Sequence, residues 1–339
     1  MVDRERGVVV TIADVAAHAG VGAGTVSRVL NDSPRVRDTT RARVLAAIEL
    51  LDYRPNPLAR GLSRGRCQTL GVVVPFFTHA SAVERLRGVA AALDGSRYDL
   101  VLFNVESPVH RDEHFATLTR RDRADGLLIM SLPPPPRSLA RLADAGVPVV
   151  LLDTSGSGVP AVVTDDVEGG RLATRHLLAL GHERIGYITS ASHVWPTDER
   201  REGMLIAARK DGKGDDVLHD ISVEHLNVAH GRDAGERILG LRPRPTAVIC
   251  ANDLVALGVL QVMIRHGVRV PDDMAIVGFD DIEFASAAAI PLTSVRLPRR
   301  FMGRVATDLL LAEATGDPDH IHQRIVLEPE LVVRQSTIG

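Results

Sequence analysis

From Leu70 onward, short near-continuous runs of Val, Ile and Leu alternate with helical patterns, and this alternation limits the possible folds more than any other feature. The runs are "TLGVVVP", "YDLVLFN", "DGLLIMS", "VPVVLLD", "AVVTD", "RIGYITS", "TAVICAN" and "MAIVGFD". Helical patterns such as 82–93, 169–180 and 254–266 lie between them. Strands that are apolar on both faces need cover on both faces, which is the condition of a parallel sheet flanked by helices. Several runs end in Asp, Asn or Ser, at the carboxyl edge where open α/β sheets bind ligands. The expectation is therefore an α/β body with parallel sheets. The prolines 133–136 read as a stiff loop, and "KDGKGDD" at 210–216 as a polar surface loop.

The first 54 residues follow a different rhythm. Thr11 is placed to cap a helix, with Asp14 as its capping-box partner. Ile12, Val15, Ala16 and Ala19 then recur at helical spacing and stop at Gly20. A second periodic set, Val26, Val29 and Leu30, closes at "NDSP". A third runs from about Asp38 through Val44, Leu45, Ile48 and Leu51 and ends at Tyr53-Arg54-Pro55. Three short helices with a tight glycine turn between the first two predict a helix-turn-helix head. The proline-bounded, basic stretch "PNPLARGLSRGRCQ" follows, too short for a stable isolated helix. The expected boundaries are 1–54 for the head, 55–68 for a linker and 69–339 for the body.

Charge separates these parts. The chain carries a net charge of only −3, but residues 1–66 hold 11 basic and 7 acidic side chains and the rest hold 29 and 36. A basic head on an acidic body is the asymmetry expected when one end meets a polyanion. Hydrophobic residues make up 45% and charged residues 24%, which suits a folded globular chain. The two cysteines, Cys67 and Cys250, form neither a disulfide framework nor a metal cluster, as expected in a reducing compartment. No apolar run approaches the roughly 18 residues of a membrane span, and no signal-peptide core is visible. A cytoplasmic location is expected, with no cofactor and no metal.

"GVGAGTVSRVLN" at 20–31 raises the possibility of a phosphate-cradling loop. A dinucleotide fingerprint needs Gly-x-Gly-x-x-Gly directly after a strand. Here the spacing is Gly20, Gly22 and Gly24, and the preceding element is a helix, so that reading fails. In a helix-turn-helix, Gly20 makes the turn, Gly22 sits at the N-cap, and Gly24 falls in the first helical turn. With Val26, Val29 and Leu30 facing the bundle, the outward residues are Ala23, Gly24, Ser27, Arg28 and Asn31. Arg28 suits guanine edges, while Thr25, Ser27 and backbone amides suit phosphates. Thr11 and Tyr53, near the two ends of the head, complete the DNA-facing candidates.

The stretch from "VTIADVAAHAGVGAGTVSRVLN" through "YRPNPLARGLSRGR" resembles the amino terminus of lactose-repressor/galactose-repressor (LacI/GalR) family transcription regulators. The likeness continues through "ATRHLLALGHERIGYI", "AVICANDLVALGVL" and "VPDDMAIVGFDDIEFASAAAIPLTSV". It implies that Ala23, Gly24 and Arg28 read bases. It also implies that the linker becomes a hinge helix on a palindromic operator, with Leu62 wedged into the minor groove beside Ala59. Asn56 and Arg60 would then meet the backbone or minor groove. Gly22 and Gly61 stand where the family often has serine, and Ala23 and Gly24 are unusually small, so the expectation is weaker binding, or more reliance on DNA shape and hinge wedging, than a fully equipped head would give.

For the body, the resemblance implies a periplasmic-binding-protein-like fold of two lobes, about 69–166 plus 299–325 and about 167–298 plus 326–339. A ligand cleft would lie between them. The family's "R-x-x-G" maps to Arg200, its "AND" strand end to Asn252 and Asp253, and its "GFDD" strand end to Asp280. Asp153, Phe76 and Phe77 would come from the other lobe, with His230 and Trp195 as further effector candidates. Such a set suits the hydroxyls of a small carbohydrate-like effector. The adjacent carboxylates Asp165/Asp166 and Asp280/Asp281 should diverge and form no acid/base pair. No nucleophile elbow is visible, so an enzyme is not expected. A soluble sugar-binding transport protein would explain the body but not residues 11–62. The expectation is a homodimeric DNA-binding repressor.

Overall fold

The computed structural model describes residues 10–54, 67–105, 115–118, 124–154, 156–191, 195–316 and 321–339. They divide into a head up to Cys67 and a body from Gln68. The head contains α1 (Ile12–Ala19), α2 (Ala23–Leu30) and α3 (Asp38–Leu50). Thr11 and Asp14 form a reciprocal capping box at α1. Gly20 closes that helix at φ 61°, a conformation costly to any residue with a Cβ. Val15, Val26 and Val44 are completely buried and join the three helices into one small core. Arg41 of α3 ties down the turn after α2 by donating to Asp32 and to the Ser33 carbonyl, each at 2.7 Å.

In the body, β1 (Thr69–Val74), β2 (Asp99–Asn104), β3 (Gly126–Met130), β4 (Val149–Leu152), β5 (Ala161–Thr164) and β11 (Arg324–Leu327) form one sheet. Its order is β2-β1-β3-β4-β5-β11, and every recorded pairing is parallel. A second sheet holds β6 (Ile185–Ser190), β7 (Leu218–Val223), β8 (Ala247–Cys250), β9 (Ala275–Asp280), β10 (Thr293–Arg296) and β12 (Glu330–Val332). Its order, β7-β6-β8-β9-β10-β12, repeats the pattern of the first, and only β12 runs antiparallel to its neighbour.

Helices cover both faces of each sheet, which accounts for the near-continuous apolar strands. The first lobe uses α4 (Ala80–Leu93) and α11 (Arg299–Thr315) on one face and α5 (Pro136–Asp144) on the other. The second uses α6 (Asp166–Ala179) and α7 (Trp195–Lys210) opposite α8 (Val228–Gly240) and α9 (Asp253–Arg265), with the short α10 (Glu283–Ser286) beside them. Pro136 occupies the first turn of α5, so the expected proline loop ends one residue earlier.

Three helix pairs cross glycine on glycine: Gly88 with Gly303 (α4/α11), Gly170 with Gly203 (α6/α7) and Gly231 with Gly258 (α8/α9). A Cβ on any of the six would run into a backbone carbonyl of the facing helix.

The chain crosses between lobes three times: at Asp165, at Leu297-Pro298, and at Glu328-Pro329. The last crossing comes later than the expected break after residue 325, because Arg324–Leu327 still pairs in register with Ala161–Thr164.

Candidate functional site

In both sheets the strand order reverses beside the first strand, and a crevice outside the carboxyl ends is where such sheets bind ligands. A cavity of about 510 Å³ lies there between the lobes. Phe76 and Ser131 reach it from the ends of β1 and β3, and Asp153 from the end of β4. Ser190, Asn252 and Asp280 reach it from β6, β8 and β9. Phe76, Ser131, Asp153 and Asp280 all hold positive φ, at 52°, 51°, 57° and 101°. At Phe76 and Ser131, which lack the ready tolerance of aspartate for this region, such backbone persists only where the surroundings enforce it.

Buried charge fills the floor. Arg200 is 4% exposed, donates through Nε to Asp166 at 2.7 Å and through Nη1 to the Ala251 carbonyl at 2.6 Å, and lies over the Phe279 ring. Asp166 is wholly buried, and Thr164 adds a second hydrogen bond to it. Burial raises the Asp166 carboxyl despite the Arg200 charge, whereas the carboxylates around Arg200 raise its guanidinium against a desolvation that would lower it. Across the cleft, Arg85 pairs with Asp153. Arg299, the first residue of α11, pairs with Asp280 and sits 3.7 Å from Asp153. One guanidinium at a lobe crossing thus touches a carboxylate from each lobe.

The effector candidates separate on this geometry. Asp153, Arg200, Asn252, Asp280 and Phe76 line the cavity, with Phe76 stacked on His79. Both polar ends of Asn252 are engaged, its amide donating to the Leu226 carbonyl at 3.0 Å and its oxygen capping α9. Asp253 does not line the cavity. It is fully buried, accepts from Ser294 Oγ at 2.6 Å and the Ile282 amide at 2.9 Å, and so anchors the loop after β9. Phe77 is exposed and does not line the cavity. His230 stands behind the wall, bonded to Asn227 and edge-on to His225, which does line the cavity. Trp195 opens α7, and its side chain lies outside the described residues. Arg85, Arg299 and Asp166 were not among the candidates. Arg85 was findable, because it occupies a core position of α4 between Ala82 and Val89.

The paired carboxylates diverge. Asp165 caps α6 while Asp166 meets Arg200, and Asp280 faces the cleft while Asp281 bonds Arg296 and Arg334 on the other side. Burial pushes the Asp280 carboxyl up from 3.8 to about 7, outweighing the Arg200 and Arg85 charges. The folded state then holds a proton that the unfolded chain has released. Stability from this group is complete below 3.8 and is lost as the pH rises towards about 7. Urea unfolding across that window should show a downward slope for the wild type that is shallower in Asp280→Asn. Parallel slopes would contradict this.

In the head, Ala23, Gly24 and Arg28 are exposed along one face of α2, with Thr25 and Ser27 half-buried beside them. Gly22 occupies the N-cap and offers no side-chain cap. Asn31 does not point outward. It closes α2 half-buried, and its Oδ1 has no partner among the described residues. The Thr11 hydroxyl is tied to Asp14 at 2.7 Å, and Tyr53 is half-buried against the head core. Asn56, Ala59, Arg60 and Leu62 lie outside the described residues.

A family model of bacterial regulatory proteins, lacI family, matches residues 11–56, and one of a periplasmic binding protein-like domain matches residues 174–337. HTH-type transcriptional repressor PurR of Photobacterium profundum is 32% identical over 339 residues, spanning 96% of this chain and 98% of that protein. Among solved structures, a lac repressor dimer bound to operator and the anti-inducer ONPF has a TM-score of 0.83 at 27% identity, covering 97% of this chain and 99% of its own. A complex of the transcriptional regulator CelR with cellobiose has a TM-score of 0.71 at 34% identity, covering 96% and 99%.

Proposed function

The chain belongs to the LacI family of bacterial regulatory proteins and is a DNA-binding transcriptional regulator, and from that premise we propose that it is a homodimeric repressor of a palindromic operator, controlled by a small carbohydrate-like effector in the interlobe cleft. The observation that bears most weight is the meeting of Asp153 and Asp280, one from each lobe, on Arg299 beside the cavity. Vicinal hydroxyls can donate to such carboxylates and accept from such guanidinium groups, and a ligand that engages both lobes biases their relative angle. Similarity to a regulator solved with cellobiose and to a repressor dimer solved on its operator supports the same reading.

On the DNA side, exposed Arg28 supplies base-edge contacts and the small Ala23 and Gly24 let α2 approach the groove closely. Thr25 and Ser27 hold phosphates, and Leu62, with Ala59, Asn56 and Arg60 around it, wedges the minor groove. Operator and effector affinities are then coupled reciprocally. A cytoplasmic location follows from this role, and no helix among the described residues is long and apolar enough to cross a membrane.

The test is a mobility-shift titration of the full-length protein at low salt on palindromes upstream of its own and neighbouring genes, with and without a sugar panel. A specific shift on a palindrome with a central CG step is expected, released by a member of the panel and weakened by Leu62→Ala. Absence of binding to every such palindrome would overturn the reading, and unchanged affinity in Leu62→Ala would remove the wedge from it.

A further inference from the structure

The first lobe's wall of the cleft is richer in cationic donors than neutral hydroxyls require. Arg85 is 3% exposed and Arg299 6%, and both line the cavity. Arg85 spends Nη2 on Asp153 and Nη1 on the Ser81 carbonyl at 3.4 Å, while Arg299 spends Nη2 on Asp280. The Nε atoms of Arg85 and of Arg299 are buried with no hydrogen-bond partner among the described residues, and the Nη1 of Arg299 has no hydrogen bond, only its long ion pair with Asp153 at 3.7 Å. Buried charged donors are rarely left unpaired, because each forfeits its hydration without return.

These arginines cannot easily retreat. Arg85 lies on α4 and Arg299 begins α11, and the two helices are pressed together at the Gly88/Gly303 crossing. The amino terminus of α4 opens on the same cavity through His79, Ser81 and Ala82, and no side chain caps it. That end of a 14-residue helix adds positive potential. Against this stand Asp153, paired with Arg85, and, from the other lobe, Asp280, which is paired with Arg299 and whose carboxyl is pushed up by burial. The third arginine, Arg200, is matched by Asp166 behind the floor. Glu224 adds a carboxylate, but an exposed one.

We propose that Arg85 and Arg299, with the amino terminus of α4, form an anion subsite within the cleft, and that the effector is an acidic carbohydrate carrying a carboxylate or a phosphate group. This rests on the effector reading of the cleft given above. The anion is held by the positive charge of the cavity-lining Arg85 and Arg299 guanidinium groups, and Asp153 and Asp280 remain as acceptors for the hydroxyls of the same ligand. A guanidinium pair favours an anion over a neutral hydroxyl because charge-assisted hydrogen bonds are roughly twice as strong.

The test uses the full-length protein and two fragment probes, sodium phosphate and sodium acetate, each titrated at ionic strength held constant with chloride while Tm is followed. At least one probe is expected to raise Tm saturably, with a half-saturating concentration about tenfold or more higher in Arg299→Gln. The probe that saturates at the lower concentration identifies the acidic group. Arg85→Gln is judged by the same criterion, and it stands in if Arg299→Gln does not fold. No saturable rise with either anion, or an equal rise in the wild type and both variants, overturns the proposal. The second result would assign the anion to the DNA-binding head. The operator titration on wild-type protein is read separately. A protein that binds anions in the cleft but no palindrome would sink the repressor reading alone.

Discussion

Replacing Arg200 with leucine is expected to destabilise the body by about 3–5 kcal/mol, because it leaves a buried carboxylate without its partner. Asp166 is wholly buried and its carboxylate accepts from Arg200 Nε at 2.7 Å. The same side chain holds the Ala251 carbonyl at the end of β8 and covers the Phe279 ring, so its loss loosens the strand end that leads to Asn252. Urea unfolding monitored by circular dichroism measures the effect. The double variant Arg200→Leu/Asp166→Leu should recover much of the loss, since two apolar side chains remove the stranded charge and not merely the attraction. A single-variant loss below about 1 kcal/mol would mean that Asp166 neutralises itself at little cost.

The second large effect is expected at a residue without a side chain. In Gly203→Ala the new Cβ falls on the Val167 carbonyl of α6, and the facing Gly170 meets the Arg200 carbonyl in the same way. Neither clash is with a flexible side-chain end, so relief requires α6 and α7 to move apart. A loss of about 3 kcal/mol is expected, at the upper end of overpacking effects, together with a weaker response to any cleft ligand, because the crossing sets the position of Arg200. Gly240→Ala is the internal control. It ends α8 with open space around the added methyl, and should be neutral or stabilise by up to about 1 kcal/mol. Equal behaviour of the two variants would show that the crossing tolerates separation.

Those two residues also show what the amino-acid pattern reveals and what it hides. The head was legible because local chemistry decides it: the capping pair Thr11 and Asp14, the turn at Gly20, and buried Val15, Val26 and Val44 at helical spacing. Seven strands were legible because burial on both faces makes them almost uniformly apolar, and an eighth, the largely exposed edge strand β2, because its sequence is apolar all the same. Of the other four, β7, β11 and β12 are partly exposed edge strands, and β10 is a four-residue strand of mixed polarity between β9 and β12, so they lack that uniformity. Strand-end residues such as Asp153, Asn252 and Asp280 announce themselves by ending an apolar run. Arg85 and Arg299 do not, because they arrive from helices, and their meeting with Asp153 and Asp280 depends on contacts between distant segments. Asp253 misled for the opposite reason. It ends a run as a site residue would, yet its carboxylate is used inside the protein.

The three lobe crossings also bear on how the chain comes into being. The first sheet is not complete until Arg324–Leu327 pairs with Ala161–Thr164, and α11 must return from the second lobe to cover one of its faces. During synthesis the apolar strands β1 and β3 to β5 therefore emerge long before their last partners exist. Pairings that span more than a hundred residues form slowly, and exposed strand edges invite association in the meantime. The amino-terminal head, with its local contacts, can fold as soon as it leaves the ribosome, whereas the first lobe waits for nearly the whole chain. A nascent regulator of this design passes through a stage at which its DNA-reading helices are formed and its ligand-sensing body is not.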